Sequence, residues 1–149
     1  MTKKDWSIED SATLYNVADW GKGYFSVSDN GMLQIAPPNV EGQPNVALTD
    51  IIAGIKDRGM DLPVVLRIEN LIDLQISRLN DSFGTAIQEL GYQAPYRGVF
   101  PIKVNQQSQV IEEIARFGAR YNHGLEAGSK AELMIAMATL TEAGSYIIC

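Results

Sequence analysis

From Leu48 onward the apolar positions of the chain switch between two periods. Leu48, Ile51, Ile52 and Ile55 share a face at helical spacing, and Gly59 supplies a stop. Pro63-Val64-Val65-Leu66-Arg67-Ile68 is a short, almost continuous apolar run, the pattern of a strand buried on both faces. The clearest helical period follows: Ile72, Ile76, Leu79, Phe83, Ile87 and Leu90 step by three or four, and Gly91 ends them. A strand through Val99-Phe100-Pro101-Ile102-Lys103 comes next, with Pro101 a local irregularity because proline removes a ladder donor. Ser108 is the expected N-cap of a helix over Gln109 to Phe117 that turns Val110, Ile111 and Ile114 inward and closes at Gly118. His123 to Ala127 reads as a short strand, and Lys130 to Leu140 as a helix whose Met134 and Met137 belong to the core. Ser145 to Cys149 reads as one more strand.

The first third is patterned differently. Residues 1 to 14 are polar and lack a period, so a loose arm is expected. Tyr24 to Ser28 and Met32 to Ala36 flank Asp29-Asn30-Gly31, a hairpin signal, and Pro37-Pro38 ends the second run. Gly42 and Pro44 mark Asn39 to Pro44 as loop. From Pro63 the order is four strands with three intervening helices, which implies a parallel sheet with right-handed crossovers. No GxGxxG follows a strand and no GxxxxGK[ST] is present, so dinucleotide and triphosphatase folds lack support. A closed (β/α) barrel takes roughly 250 residues, so the pattern predicts part of one within a longer enzyme.

Composition adds exclusions. With 46% hydrophobic and 20% charged residues the chain has a globular make-up. No apolar run approaches the ~20 residues of a membrane helix, and Met1-Thr2-Lys3-Lys4-Asp5-Trp6 leads into no secretory signal. The single cysteine permits no internal disulfide, so a cytoplasmic location is expected. A formal net charge of −6 with scattered lysines and arginines argues against a nucleic-acid partner.

The candidate chemistry lies at strand ends, where barrel sites gather. Lys103 follows an apolar run and precedes Val104-Asn105-Gln106-Gln107. A desolvated lysine there is a nucleophile that can form a Schiff base; alternatively its stem is buried and its head reaches water. Glu126 ends the next strand and either orients that lysine or faces solvent. Asn105 could hold the loop or serve ordinary turn chemistry. Ser129 reads as an N-cap, with Glu132 three residues on completing a capping box. His123, the only histidine, starts its strand and reads as structural. Cys149 reads as a buried, inert thiol, and Arg67 as a buried arginine in need of an ionic partner.

Val99-Phe100-Pro101-Ile102-Lys103-Val104-Asn105-Gln106, then Gly124-Leu125-Glu126-Ala127-Gly128-Ser129-Lys130-Ala131-Glu132-Leu133, with Tyr15-Asn16-Val17-Ala18-Asp19-Trp20-Gly21 upstream, resembles the biosynthetic arginine decarboxylases. That family belongs to the alanine racemase-like, fold-type III pyridoxal-phosphate enzymes. The resemblance implies an α/β fold: part of a (β/α)8 TIM barrel over residues 46–149, preceded over residues 1–45 by an arm and a hairpin belonging to a separate β-domain. It implies that Lys103 bonds pyridoxal 5'-phosphate as a Schiff base, that Glu126 is catalytic and that Asn105 contacts the cofactor. The reaction implied is decarboxylation of L-arginine to agmatine and CO2 for polyamine and spermidine synthesis, with Mg2+ required and at least a dimer as the assembly. The 149 residues alone are expected to be inactive and prone to associate. Ornithine or diaminopimelate decarboxylation, or a non-catalytic pyridoxal-phosphate-binding barrel, are the alternatives.

Overall fold

The structure, a computed structural model, describes residues 5–36, 44–141 and 143–149. It divides into two compact units, Met1–Leu66 and Arg67–Cys149.

In the first unit, Ser7 opens helix α1 (Ile8–Leu14) with a full capping box: the Asp10 N–H donates to Ser7 Oγ at 3.1 Å, and the Ser7 N–H donates to Asp10 Oδ2 at 3.0 Å. The expected loose arm is therefore helical from Ile8, because reciprocal capping starts a short helix that has no apolar period. Residues 1–4 lie outside the described residues. A second short helix, α2 (Val17–Gly21), is bounded by Asn16 and Lys22, both in the left-handed region.

The hairpin forms as predicted. Strands β1 (Phe25–Val27) and β2 (Leu33–Ile35) pair antiparallel, Phe25 opposite Ile35 and Val27 opposite Leu33. Gly31 adopts φ +77° in the turn, and its N–H donates to the Ser28 carbonyl at 2.8 Å. Strand β3 (Val46–Ala47) extends this sheet antiparallel to β2 and leads into helix α3 (Leu48–Asp57), which stops before Gly59 as predicted. The Pro37-Pro38 stop and the loop from Asn39 to Gln43 lie outside the described residues. The predicted strand Pro63 to Ile68 does not form: the run joins no sheet and Val65 is 81% exposed. An apolar run becomes a strand only when a neighbour takes its backbone N–H and C=O groups. Arg67 is accordingly exposed, not buried in a strand.

The second unit is a parallel sheet with its helices. Strands β4 (Val99–Pro101), β5 (Gly124–Glu126) and β6 (Ile147–Ile148) lie in sequence order, with Pro101 opposite Glu126 and Glu126 opposite Ile148. The described sheet thus has three parallel strands where the sequence predicts four. Helix α4 (Glu69–Leu90) ends on Gly91 at φ +63°, α5 (Ser108–Gly118) joins β4 to β5, and α6 (Lys130–Thr139) joins β5 to β6. Ser108 is the first helical residue of α5, and Gln107 occupies the cap without a side-chain bond. Ile102, Ile111 and Leu125 are fully buried and pack with Ile76, Val110, Ile114 and Ala136.

Along α4 only Ile76 of the predicted stripe is buried, while Leu79, Phe83 and Leu90 are exposed. Phe83 stacks on Tyr96 with ring centres 4.0 Å apart. Glu69 accepts from Arg116 at 2.8 Å, and one turn further Asp73 accepts from Arg120, which also donates to Ser77 at 2.6 Å. Met134 and Met137 are exposed, contrary to the core reading, because α6 turns Glu132 and Ala136 inward. Cys149 is exposed as well: it follows β6, which among the described residues pairs only with β5.

His123 is buried where Gly98 and Gly118 leave room; a Cβ on either glycine would collide with it. Desolvation holds its pKa below the ordinary 6.5, and Nδ1 has no partner. Below about pH 6.5 an unfolded chain takes up a proton that the folded one refuses, so stability falls as pH drops. Glu113, raised above 4.5 by its own burial and by the Glu69 carboxylate, acts in the opposite sense. The informative quantity is therefore a difference. The urea midpoint of the wild type is expected to fall more steeply on acidification than that of His123→Gln. Parallel pH profiles would refute this.

A lysine–glutamate pair at the carboxyl ends of parallel strands

Strand β4 gives way at once to a 3-10 turn, Ile102–Val104. The turn sends Ile102 into the core and leaves Lys103 outside: Ile102 is fully buried, whereas the Lys103 side chain is 66% exposed. Lys103 is thus not desolvated within a strand, as the apolar run suggests. It stands just past the strand's carboxyl end. Glu126 is the last residue of the neighbouring parallel strand, so both side chains reach the same edge of the sheet. Lys103 Nζ lies 3.9 Å from Glu126 Oε1. At that separation and exposure the pair contributes under ~1 kcal/mol of stability, so its value is in orientation. Glu126 is mostly buried, and its other oxygen, Oε2, is buried with no hydrogen-bond partner. A buried carboxylate oxygen without a donor marks a place where one belongs.

The flanking loops are built by side chains. Asn105 Oδ1 accepts from the Gln107 N–H at 3.1 Å, the turn chemistry open to asparagine. Ser129 caps α6 as predicted, accepting from the Glu132 N–H at 3.2 Å. The other half of the capping box is diverted. Glu132 is 6% exposed, and its carboxylate accepts from the Gly128 N–H at 2.7 Å and from Gln106 Nε2 at 2.9 Å. The sequence reading misses Gln106 altogether. The Ser-x-x-Glu spacing finds the helix start but carries no signal for a partner 26 residues away.

Other candidates lie elsewhere. His123 precedes β5, at the opposite end from Glu126. Among the described residues no three His, Cys, Asp or Glu gather as a metal's ligand set. Two concavities of this unit, of about 720 and about 550 Å3, are lined by neither Lys103 nor Glu126. The pair stands at an open strand edge. No helix among the described residues is long and apolar enough to cross a membrane.

No family model matches the chain. It is 44% identical over 146 residues to the biosynthetic arginine decarboxylase of Gloeobacter violaceus, covering 98% of this chain and 22% of that protein. It is 40% identical over 147 residues to the biosynthetic arginine decarboxylase of Prochlorococcus marinus, covering 99% and 22%. The crystal structure of the biosynthetic arginine decarboxylase from Campylobacter jejuni superposes with a TM-score of 0.79 at 39% identity, over 89% of this chain and 22% of that one. The chain spans about a fifth of the length of the curated relatives it matches. The likeness around Lys103 and Glu126 thus extends along nearly the whole of this chain, in a mixed α/β fold that it shares with a solved biosynthetic arginine decarboxylase.

Proposed function

We propose that this chain supplies the cofactor lysine of a pyridoxal-phosphate-dependent decarboxylase that converts L-arginine to agmatine and CO2, the activity residing in a longer enzyme. The observation that carries the reading is the pairing of Lys103 with Glu126 at the carboxyl ends of adjacent parallel strands. On this reading residues 46–149 open a (β/α)8 barrel and residues 1–45 contribute to a separate β-domain. The complete enzyme is at least a dimer.

The residues present suit the cofactor. Lys103 offers an accessible primary amine, as a carbonyl partner requires, and the unpartnered Glu126 Oε2 offers an acceptor beside it. Bound pyridoxal phosphate would supply an electron sink for the pair left when the α-carboxylate departs. Lys103 would hold the cofactor through its amine. Glu126 would orient Nζ from 3.9 Å away. Asn105 acts through the loop that it shapes after Lys103.

Borohydride reduction of the cofactor-loaded full-length enzyme tests the assignment. Peptide mass mapping is expected to find the reduced adduct on Lys103. An adduct on Lys130 or any other lysine would refute it.

A further inference from the structure

Glu132 is the only charged residue among the buried ones of the described chain, and its helix does not need its carboxylate. The Ser129 hydroxyl already caps α6. In a closed capping box the glutamate would return to the Ser129 N–H. Instead one oxygen takes the Gly128 N–H at 2.7 Å and the other takes Gln106 Nε2 at 2.9 Å. Gly128 lies two residues after Glu126, and Gln106 three residues after Lys103. The carboxylate is therefore a crosspiece between the loops that follow β4 and β5, anchored in the first turn of α6. The pair that these loops carry cannot hold itself: at 3.9 Å, with the lysine largely in water, it is a weak tether. Hydrogen bonds to an ionised acceptor are stronger than neutral ones, and both of these are partly shielded from water.

We propose that Glu132 is a positioning residue for cofactor attachment. Through Gln106 and the Gly128 N–H it fixes the distance between the Lys103 and Glu126 loops and so presents the amine in its bonding position. The inference rests on Lys103 being the cofactor lysine, and the experiment separates the two.

The full-length apoenzyme is titrated with pyridoxal phosphate, reduced with borohydride and mapped, as wild type and as four variants. Gln106→Glu sets one carboxylate against another and breaks the crosspiece. The double substitution Gln106→Glu/Glu132→Gln exchanges the two roles: the new amide donates to the new carboxylate and still accepts from the Gly128 N–H. Glu132→Gln alone is tolerated, since the Gln106 amide can turn its oxygen to the new donor. Gln106→Glu is expected to weaken cofactor binding by about tenfold or more, with the exchange restoring it to within roughly threefold of wild type. Melting temperatures should remain close, because Gln106 is exposed. Gln106→Ala only trims that side chain and carries the affinity comparison should the glutamate variant not fold. Unchanged affinity in Gln106→Glu or Gln106→Ala overturns the proposal, as does a loss that the exchange fails to restore. An adduct on a lysine other than Lys103 instead removes the reading beneath it.

Discussion

Replacing Lys103 by alanine in the full-length enzyme is expected to abolish the visible absorption of bound cofactor and to lower turnover by roughly 10³-fold or more, ~4 kcal/mol of transition-state stabilisation. The size follows from what is lost. On the proposed reading alanine at this position removes the covalent link to the cofactor, and it leaves Glu126 without its only described charged partner. The fold has little stake in the side chain, which is 66% exposed beside the fully buried Ile102 that holds the turn. Melting temperature should therefore scarcely move while activity collapses. Lys130→Ala is the matched control: an exposed lysine at the start of α6, whose loss should leave both spectrum and turnover near wild type. An unchanged absorption band in Lys103→Ala would falsify the assignment.

Gly124→Ala is expected to act on the fold itself. Gly124 opens β5 two residues before Glu126, and a Cβ there would run into the backbone of Tyr146. That stretch cannot yield cheaply, since the Tyr146 carbonyl accepts from the Leu125 N–H at 3.0 Å as part of the β5–β6 pairing. Glycine permits this close approach of two backbones, and a methyl group forces the strands apart. The expected loss is about 3 kcal/mol, the upper range for overpacking a site that cannot relax. Because β5 also carries Glu126, cofactor binding should weaken along with stability. Urea unfolding of the full-length variant is the measurement, and a midpoint equal to wild type would show that β6 can shift at no cost.

How far the sequence reached depends on the range of the interactions involved. The hairpin was legible because Asn30-Gly31 and its flanking runs are local signals, and α4 ended at Gly91 for the same reason. Ser7 and Asp10 are equally local, and α1 went unread only because its capping box precedes no apolar stripe. The run Pro63 to Ile68 misled because an apolar stretch states a preference, whereas a strand requires a partner. Met134 and Met137 misled in the same direction: α6 is apolar nearly all round, so its period could not say which face would be covered. At the site, Lys103 and Glu126 were legible as strand-end residues. The turn that exposes the lysine was not, and neither was Gln106, whose partner is fixed by the tertiary fold.

The ion pairs that α4 makes with the end of α5 and with the 3-10 turn after it set an alignment more than they add strength. Glu69 with Arg116 and Asp73 with Arg120 have the same offset along the chain: the acids are one turn apart on α4, while Arg116 lies in the last turn of α5 and Arg120 in the 3-10 turn Ala119–Tyr121 that follows it. Each pair is exposed enough that its stabilisation is small and screened by salt. Slide α5 by one turn, however, and one arginine meets the wrong acid while one charge of each sign is stranded. The two rungs thus work as a key for the same axial setting in which Val110, Ile111 and Ile114 of α5 pack with Ile76 of α4. That setting determines where the amino end of α5 sits, and with it the loop that begins at Lys103.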